Sequence, residues 1–360
     1  MSQRLRIGII GAGANTRARH LPEFKKIPGV EVVVVCNRTM ESGQKVAKQF
    51  AVPYITTRAK DVIDSPDIDA ICIGTWPNMH AKLAVAALRA GKHVLTEARM
   101  ARSLAEAEMM LEESRQRPNL VAQIVPAPMS LPFDATVSDL LWRGALGAVR
   151  EVVLTATADG LADSTLPLSW RQDVAMNGKN TLYLGIYYEM ALRWLGTGVS
   201  SVIADAAIFT KERRDEEGVP QPTTIPESLT VLGSYTATTE TSGPTKAGLE
   251  LADGARLVAH FSGVERSGAR AEARLNGSTG GVRMDFIRNE LWVTRAGEPE
   301  KQVEIAPDKR GAWRVEADFV DSIRENKPVR LTDFATGVKY MQFTEAVWDS
   351  WHTGGRRVTL

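Results

Sequence analysis

Across residues 4–124, short apolar runs of strand length alternate with stretches whose apolar positions recur at helical spacing. The runs at 4–10, 30–36, 69–73, 92–96 and 120–124 read as strands; the second, VEVVVVC, is almost entirely β-branched. Helical patterns fill 17–27, 40–50, 59–63, 79–90 and 103–115, and Gly91 supplies a stop after residue 90. Apolar strands separated by amphipathic helices predict βαβ units and a parallel sheet covered on both faces.

From Pro126 the pattern changes. The segment VPAPMSLP reads as a connector, followed by a helix at 133–143 and a long strand at 148–158. After Ser200 strands dominate, at 201–210, 229–235, 247–251, 255–262, 269–275, 281–286, 291–294 and 302–305. The polar, proline-bearing residues 211–226 read as a loop, and helices at 313–325 and 334–351 close the chain. Strands in succession with turns between them predict a large open, mainly antiparallel sheet. A length of 360 residues suits two domains, here 1–125 and 126–360.

Composition changes this picture little. The 44 Lys+Arg and 43 Asp+Glu give a formal charge of +1, which argues against nucleic acid as a partner. Cys36 and Cys72 lie in strand runs and read as buried free thiols in a reducing compartment. No run is long enough to span a membrane, and the N-terminal run passes straight into a glycine turn, unlike a signal peptide. The expected location is cytoplasmic. The five histidines have no metal-ligand spacing, so no metal site is expected.

The first strand ends in IGIIGAGANT. Gly11 permits a tight turn and Gly13 lets backbone approach a pyrophosphate. The N–H groups of Ala14, Asn15 and Thr16 open a helix whose dipole favours an anion. Thr16 stands where the usual fingerprint has its third glycine. These features predict a Rossmann dinucleotide-binding domain. The second strand ends at Asn37-Arg38-Thr39, with no carboxylate for a ribose 2′-hydroxyl. Arg38 could pair with a 2′-phosphate while Asn37 and Thr39 donate to it, which favours NADP over NAD. The alternative is an exposed helix-capping turn.

The order GAGANT, CNR, TWPNMH (75–80), AGKHVLTEARMA (90–101) and Trp170-Arg171 resembles the Gfo/Idh/MocA oxidoreductase family over essentially the whole chain. The resemblance implies an α/β Rossmann domain followed by an α+β domain with a large open sheet. It implies that Thr75, Trp76, Pro77 and His80 line the cofactor and that Glu97 lies near the nicotinamide. The family's Glu-Lys-Pro is Glu97-Ala98-Arg99 here, so its lysine is missing. Its glycine cluster, Asp and His fall on 177–187, with Tyr183 at the aspartate and Tyr187 at the histidine. Tyr187 is then the expected acid/base, eased by a neighbouring cation, with Tyr183 on the same helix face. Lys179 and Arg99 are the candidate cations. Glu189 and Arg193 form either a substrate clamp or a plain ion pair, and Trp170 and Arg171 shape or charge the pocket.

The expected function is NAD(P)-dependent oxidation or reduction of a secondary alcohol or ketone on a sugar, polyol or related small molecule. One rival is lyase or hydrolase chemistry with no net redox; another is a non-catalytic NADP(H)-binding protein. A broad one-sided sheet further implies a homo-oligomer, dimer or tetramer, packed through that face.

Overall fold

A computed structural model describes residues 4–237 and 248–360. The chain divides into two compact units: Met1–Pro126 with Arg314–Met341, and Ala127–Trp313 with Gln342–Leu360.

In the first unit the strands are β1 (Leu5–Ile10), β2 (Val30–Cys36), β3 (Tyr54–Thr56), β4 (Ala70–Ile73), β5 (His93–Thr96) and β6 (Ala122–Ile124). They form one sheet in the order β3-β2-β1-β4-β5-β6, every pairing parallel. This order reverses direction at β1, and in such sheets ligands bind beyond the strand carboxyl ends at that switch. Ile7 and Ile9 of β1 and all of β4 are buried, as apolar runs covered on both faces require. The helix after β1 carries a π turn at Thr16–His20 before the regular segment Leu21–Lys26. Pro22 has no N–H to bond one turn back, and the Leu21 N–H reaches Thr16 O instead.

The segment Arg314–Met341, which carries the helix Val315–Glu325 and was expected in the second domain, belongs to the first compact unit. Gln123 Nε2 donates to Val315 O at 3.1 Å, Ile124 N to Thr332 O at 2.9 Å, and Met100 N to the Tyr340 hydroxyl at 2.6 Å.

The second unit contains β7 (Val149–Thr157), β8 (Ser201–Ala207), β9 (Glu212–Arg214), β10 (Pro220–Pro222), β11 (Ser228–Ser234), β12 (Leu251–Ser262), β13 (Arg270–Gly277), β14 (Gly280–Asp285), β15 (Glu290–Arg295), β16 (Lys301–Val303) and β17 (Val358–Thr359). Nine of them form a sheet ordered β16-β15-β14-β13-β7-β12-β11-β8-β17. Within this sheet only the β7–β12 pair is parallel among the described residues. One face is core: Val152, Leu154, Leu257, Phe261 and Leu275 are all at most 1% exposed. The helix Leu184–Leu195 packs there, with Tyr187 and Phe261 ring centroids 5.5 Å apart.

Two expectations need correction in this unit. Residues 211–226 hold the short hairpin β9–β10, which the prolines at 220 and 222 disguised. The separate strands at 247–251 and 255–262 are one strand starting at Leu251; residue 247 itself lies outside the described residues. No helix among the described residues is long and apolar enough to cross a membrane.

Candidate functional site

The first unit builds a phosphate cradle at the end of β1. Gly11 has φ +88°, and a Cβ there would sit 2.7–2.9 Å from Thr75 and Gly74, so only glycine fits. A Cβ on Gly13 would meet nothing nearer than Gly74 O at 3.6 Å, which leaves that backbone open to a ligand. Gly13, Ala14 and Asn15 are exposed. Thr16 is buried and its hydroxyl donates to Gly11 O at 3.0 Å, which closes the turn from beneath. These exposed amides and the open Gly13 backbone suit a pyrophosphate.

The β2 end divides its work differently from expectation. Asn37 Oδ1 accepts from Ala12 N at 2.8 Å and so shapes the glycine loop. Thr39 caps the helix Met40–Phe50 by accepting from Ser42 N at 3.2 Å, which spends its hydroxyl on the protein. Arg38 is exposed, 5.0 Å from the Trp76 ring centroid, and has no carboxylate partner among the described residues.

Beyond β4, Pro77 begins the helix Pro77–Arg89, and Thr75 donates to Trp76 O at 3.3 Å. His80 is 1% exposed, with Nδ1 3.0 Å from Arg99 O and Nε2 3.0 Å from Thr75 O. Burial lowers its pKa despite those bonds. Its ring thus braces the Thr75 and Arg99 segments. Arg99 is 6% exposed inside this unit, so its side chain is not an accessible cation for substrate.

Glu97, at the end of β5, anchors a cluster that sequence reasoning missed. Its Oε1 accepts from Asn15 Nδ2 at 2.5 Å and from His20 Nε2 at 2.9 Å. The other His20 nitrogen, Nδ1, bonds Glu316 on the returning helix. His20 is fully buried. Burial alone would lower its pKa, but the bonds to Glu316 and Glu97 outweigh this and raise it from 6.5 to about 9. Burial likewise opposes ionisation of Glu97, yet His20 and Asn15 hold its carboxyl below the usual range. An imidazolium between two carboxylates thus ties the phosphate-loop helix to the end of β5. The only sequence sign was a histidine beside Pro22, on the turn that the proline distorts.

In the second unit the residues 169–187 form a compact platform. Ser169 caps the turn Trp170–Gln172, and the Arg171 guanidinium lies 4.2 Å from the Trp170 ring centroid. Buried Asn177 donates to Arg171 O at 3.0 Å and to Asn180 O at 2.6 Å, joining the two ends of the platform. Lys179 pairs with Glu345 and lies 3.5 Å from Asp349, so its charge is already balanced. Tyr183 precedes the helix Leu184–Leu195 and is 46% exposed.

Tyr187 is 1% exposed, its ring packed edge-on against Tyr183, Phe261 and Phe286. Burial, with Tyr183 and Glu272 adding to it, pushes its phenol well above the usual range. The expectation that a neighbouring cation eases its deprotonation is therefore overturned. Glu189 and Arg193 are an internal ion pair: Arg193 binds Glu189 at 2.7 Å and also Asp134, and Glu189 accepts from Ala127 N at 2.9 Å.

Two family models match the chain. Residues 5–124 match that of an oxidoreductase family with an NAD-binding Rossmann fold, and residues 135–283 match the Gfo/Idh/MocA C-terminal domain. The chain belongs to the Gfo/Idh/MocA oxidoreductase family. Levoglucosan dehydrogenase of Pseudarthrobacter phenanthrenivorans is 29% identical over 60% of the chain, a match that spans only 57% of that relative's length. The dTDP-3,4-didehydro-2,6-dideoxy-alpha-D-glucose 3-reductase of Streptomyces antibioticus is 28% identical over 96% of the chain and 97% of its own length. In fold, this Gfo/Idh/MocA member resembles the apo form of levoglucosan dehydrogenase, with a TM-score of 0.84 at 22% identity over 99% of both chains. No cluster able to hold a metal ion occurs among the described residues.

Proposed function

We propose that the protein is a nicotinamide-dependent oxidoreductase that interconverts a secondary alcohol and a ketone on a sugar-like substrate. The observation that carries this reading is the Gly11–Asn15 cradle at the switch of a parallel sheet, in a chain of an oxidoreductase family. The relatives' names, a dehydrogenase and a reductase of sugars, support the substrate class. Arg38 over Trp76, with no acid at positions 37–39, supports NADP over NAD.

The chemistry that a bound nicotinamide would supply is hydride exchange at the substrate carbon. The backbone of Gly13, Ala14 and Asn15 would hold the pyrophosphate, and Arg38 would pair with a 2′-phosphate. Glu97, fixed by His20 and Asn15, keeps a charged carboxylate at the end of β5. The proton belongs to Tyr183, the exposed phenol, and not to the enclosed Tyr187. In the reducing direction Tyr183 donates its O–H proton to the carbonyl oxygen as the C=O bond becomes single, and recovers a proton from water. This assignment answers the missing lysine, since Ala98 can neither hold an oxygen nor stabilise charge.

The outer face of the large sheet supports a homo-oligomer. Ile203, Leu232, Val258 and Val153 are cross-strand neighbours on that face, and Leu232 is 49% exposed. Such a stripe is suited to burial against a second copy. Turnover of NADPH or NADP⁺ with a panel of sugars and polyols tests the main reading. Steady cofactor consumption supports it; product without cofactor consumption, or no chemistry at all, would favour the lyase or binding-protein alternatives.

A further inference from the structure

Asn15 is the residue before the π turn Thr16–His20, and His20 ends it. On a regular helix of 3.6 residues per turn, positions five apart point roughly 140° away from each other. The wider π turn brings them nearer, and both side chains reach one atom. Glu97 Oε1 accepts from Asn15 Nδ2 at 2.5 Å and from His20 Nε2 at 2.9 Å. Glu97 is itself pinned to the sheet, because its N–H donates to Ile73 O at the end of β4 at 3.0 Å. Behind His20, Nδ1 meets Glu316, the second residue of the helix Val315–Glu325. All four residues belong to the first unit. Burial is graded along this chain of bonds. The His20 and Glu316 side chains are at most 1% exposed, that of Glu97 is 16% exposed, and Asn15 is exposed in the cradle. The chain thus runs from a closed interior to the mouth of the phosphate loop. A neutral imidazole donates from one nitrogen and an imidazolium from both, so a carboxylate on each side calls for the cation.

We propose that Glu316 and His20 are positioning residues for the dinucleotide: they hold Glu97, and through its Oε1 they hold Asn15, so that the N–H groups at the mouth of the phosphate-loop helix are set for the pyrophosphate. The inference rests on the oxidoreductase reading and adds to its cofactor site a helix that lies 296 residues beyond His20. An anion site made of backbone N–H groups binds well only if those groups are already aimed, since ordering them on binding costs affinity. Gly13, Ala14 and Asn15 are all exposed, with little packing of their own, and the grip on Asn15 from below supplies the missing order. The pyrophosphate is common to NADH and NADPH, so this grip serves both alike, unlike Arg38. Two other ionisable groups face the cluster. Burial and the two carboxylates keep the Cys72 thiol on β4 protonated, and burial keeps His80 neutral. His20 is the member of the cluster that changes charge above neutral pH.

The test is the affinity of the full-length protein for NADPH and for NADH, read by nicotinamide fluorescence in a double-mutant cycle. Glu316→Ala takes the acceptor from His20 Nδ1 and should weaken both nucleotides by one common factor of about ten-fold. Asn15→Ala cuts the last bond of the chain, keeps the backbone N–H, and should weaken both similarly. The double variant should bind little worse than either single one, because each breaks the same connection. A merely structural Glu316 would lower the melting temperature and leave affinity below it unchanged. Glu316→Gln should restore affinity at pH 7.5, since its amide can donate to a neutral His20 Nδ1 while Nε2–H still donates to Glu97. From pH 7.5 to 9.5 wild-type affinity should fall, as His20 loses its proton around pH 9 and keeps one donor for two carboxylates, whereas Glu316→Gln should stay level. This series carries the test by itself if Glu316→Ala does not fold. Affinities in Glu316→Ala within about two-fold of the wild type, losses that add in the double variant, or equal pH slopes in wild type and Glu316→Gln overturn the proposal. The two failures are separable. Wild-type protein that binds nucleotide without these effects sinks the positioning role alone, and wild-type protein that binds neither nucleotide sinks the oxidoreductase reading with it.

Discussion

Replacing His20 with Gln should destabilise the nucleotide-binding unit and erase a pH dependence that the wild type shows. The imidazolium is fully buried between Glu97 and Glu316, and its removal leaves two carboxylates facing each other with no cation. Breaking a buried pair in this way costs roughly 3–5 kcal/mol. The raised pKa agrees in order of magnitude: a shift from 6.5 to about 9 corresponds to roughly 3 kcal/mol of coupling between charge and fold. In a unit of this size the melting temperature should fall by roughly 10 °C. The sign follows from the direction of the shift. Because the folded pKa lies above the unfolded one, the stabilisation is complete below about pH 6.5 and is lost as pH rises through about 9. Thermal melts from pH 6 to 8.5, below the range where the buried thiols and phenols add their own slope, should fall for the wild type and change much less for His20→Gln. Salt should restore little, since the cluster is shielded from solvent. A variant melting within a degree or two of the wild type, or a flat wild-type profile, would refute the reasoning.

Other outcomes follow from the same geometry. Arg38→Asp should weaken NADPH by about ten-fold or more while sparing NADH, read by fluorescence titration; unchanged NADPH affinity would remove the 2′-phosphate assignment. Tyr183→Phe should lower kcat by about a hundred-fold or more with KM little altered, whereas Tyr187→Phe should leave turnover near the wild-type level. The reverse ranking in single-turnover kinetics would return the proton to Tyr187. Leu232→Glu places a charge on the apolar stripe of the outer sheet face, and light scattering should then show a smaller particle than the wild type.

Much of the architecture is legible in residue pattern because it depends on local rules. Gly11 must take a positive φ, β4 must be apolar on both faces, and β11 alternates buried and exposed positions as a one-sided strand does. What pattern could not show depends on separation along the chain. His20 and Glu316 lie 296 residues apart, and nothing local announces that the segment from Arg314 rejoins the first unit. The tyrosines show a subtler limit. A spacing of four places Tyr183 and Tyr187 together, and their rings do meet at 6.2 Å. But Tyr183 is the residue before the helix and Tyr187 lies one turn inside it, so solvent reaches one phenol and the core encloses the other. Alignment to a family motif favoured the enclosed one, because a motif records position and not exposure. Lys179 and Arg99 were attractive for their charge alone; the structure spends the first on Glu345 and encloses the second.

The central claim, that this chain works through a nicotinamide cofactor, is tested most directly by titrating the purified protein with NADPH and with NADH while following nicotinamide fluorescence. Material released on denaturation should be assayed in parallel for cofactor already bound. Saturable binding of one equivalent per chain, tighter for NADPH, is the predicted result. Binding of neither nucleotide, with none released, would contradict the account and leave the Gly11–Asn15 cradle without its ligand.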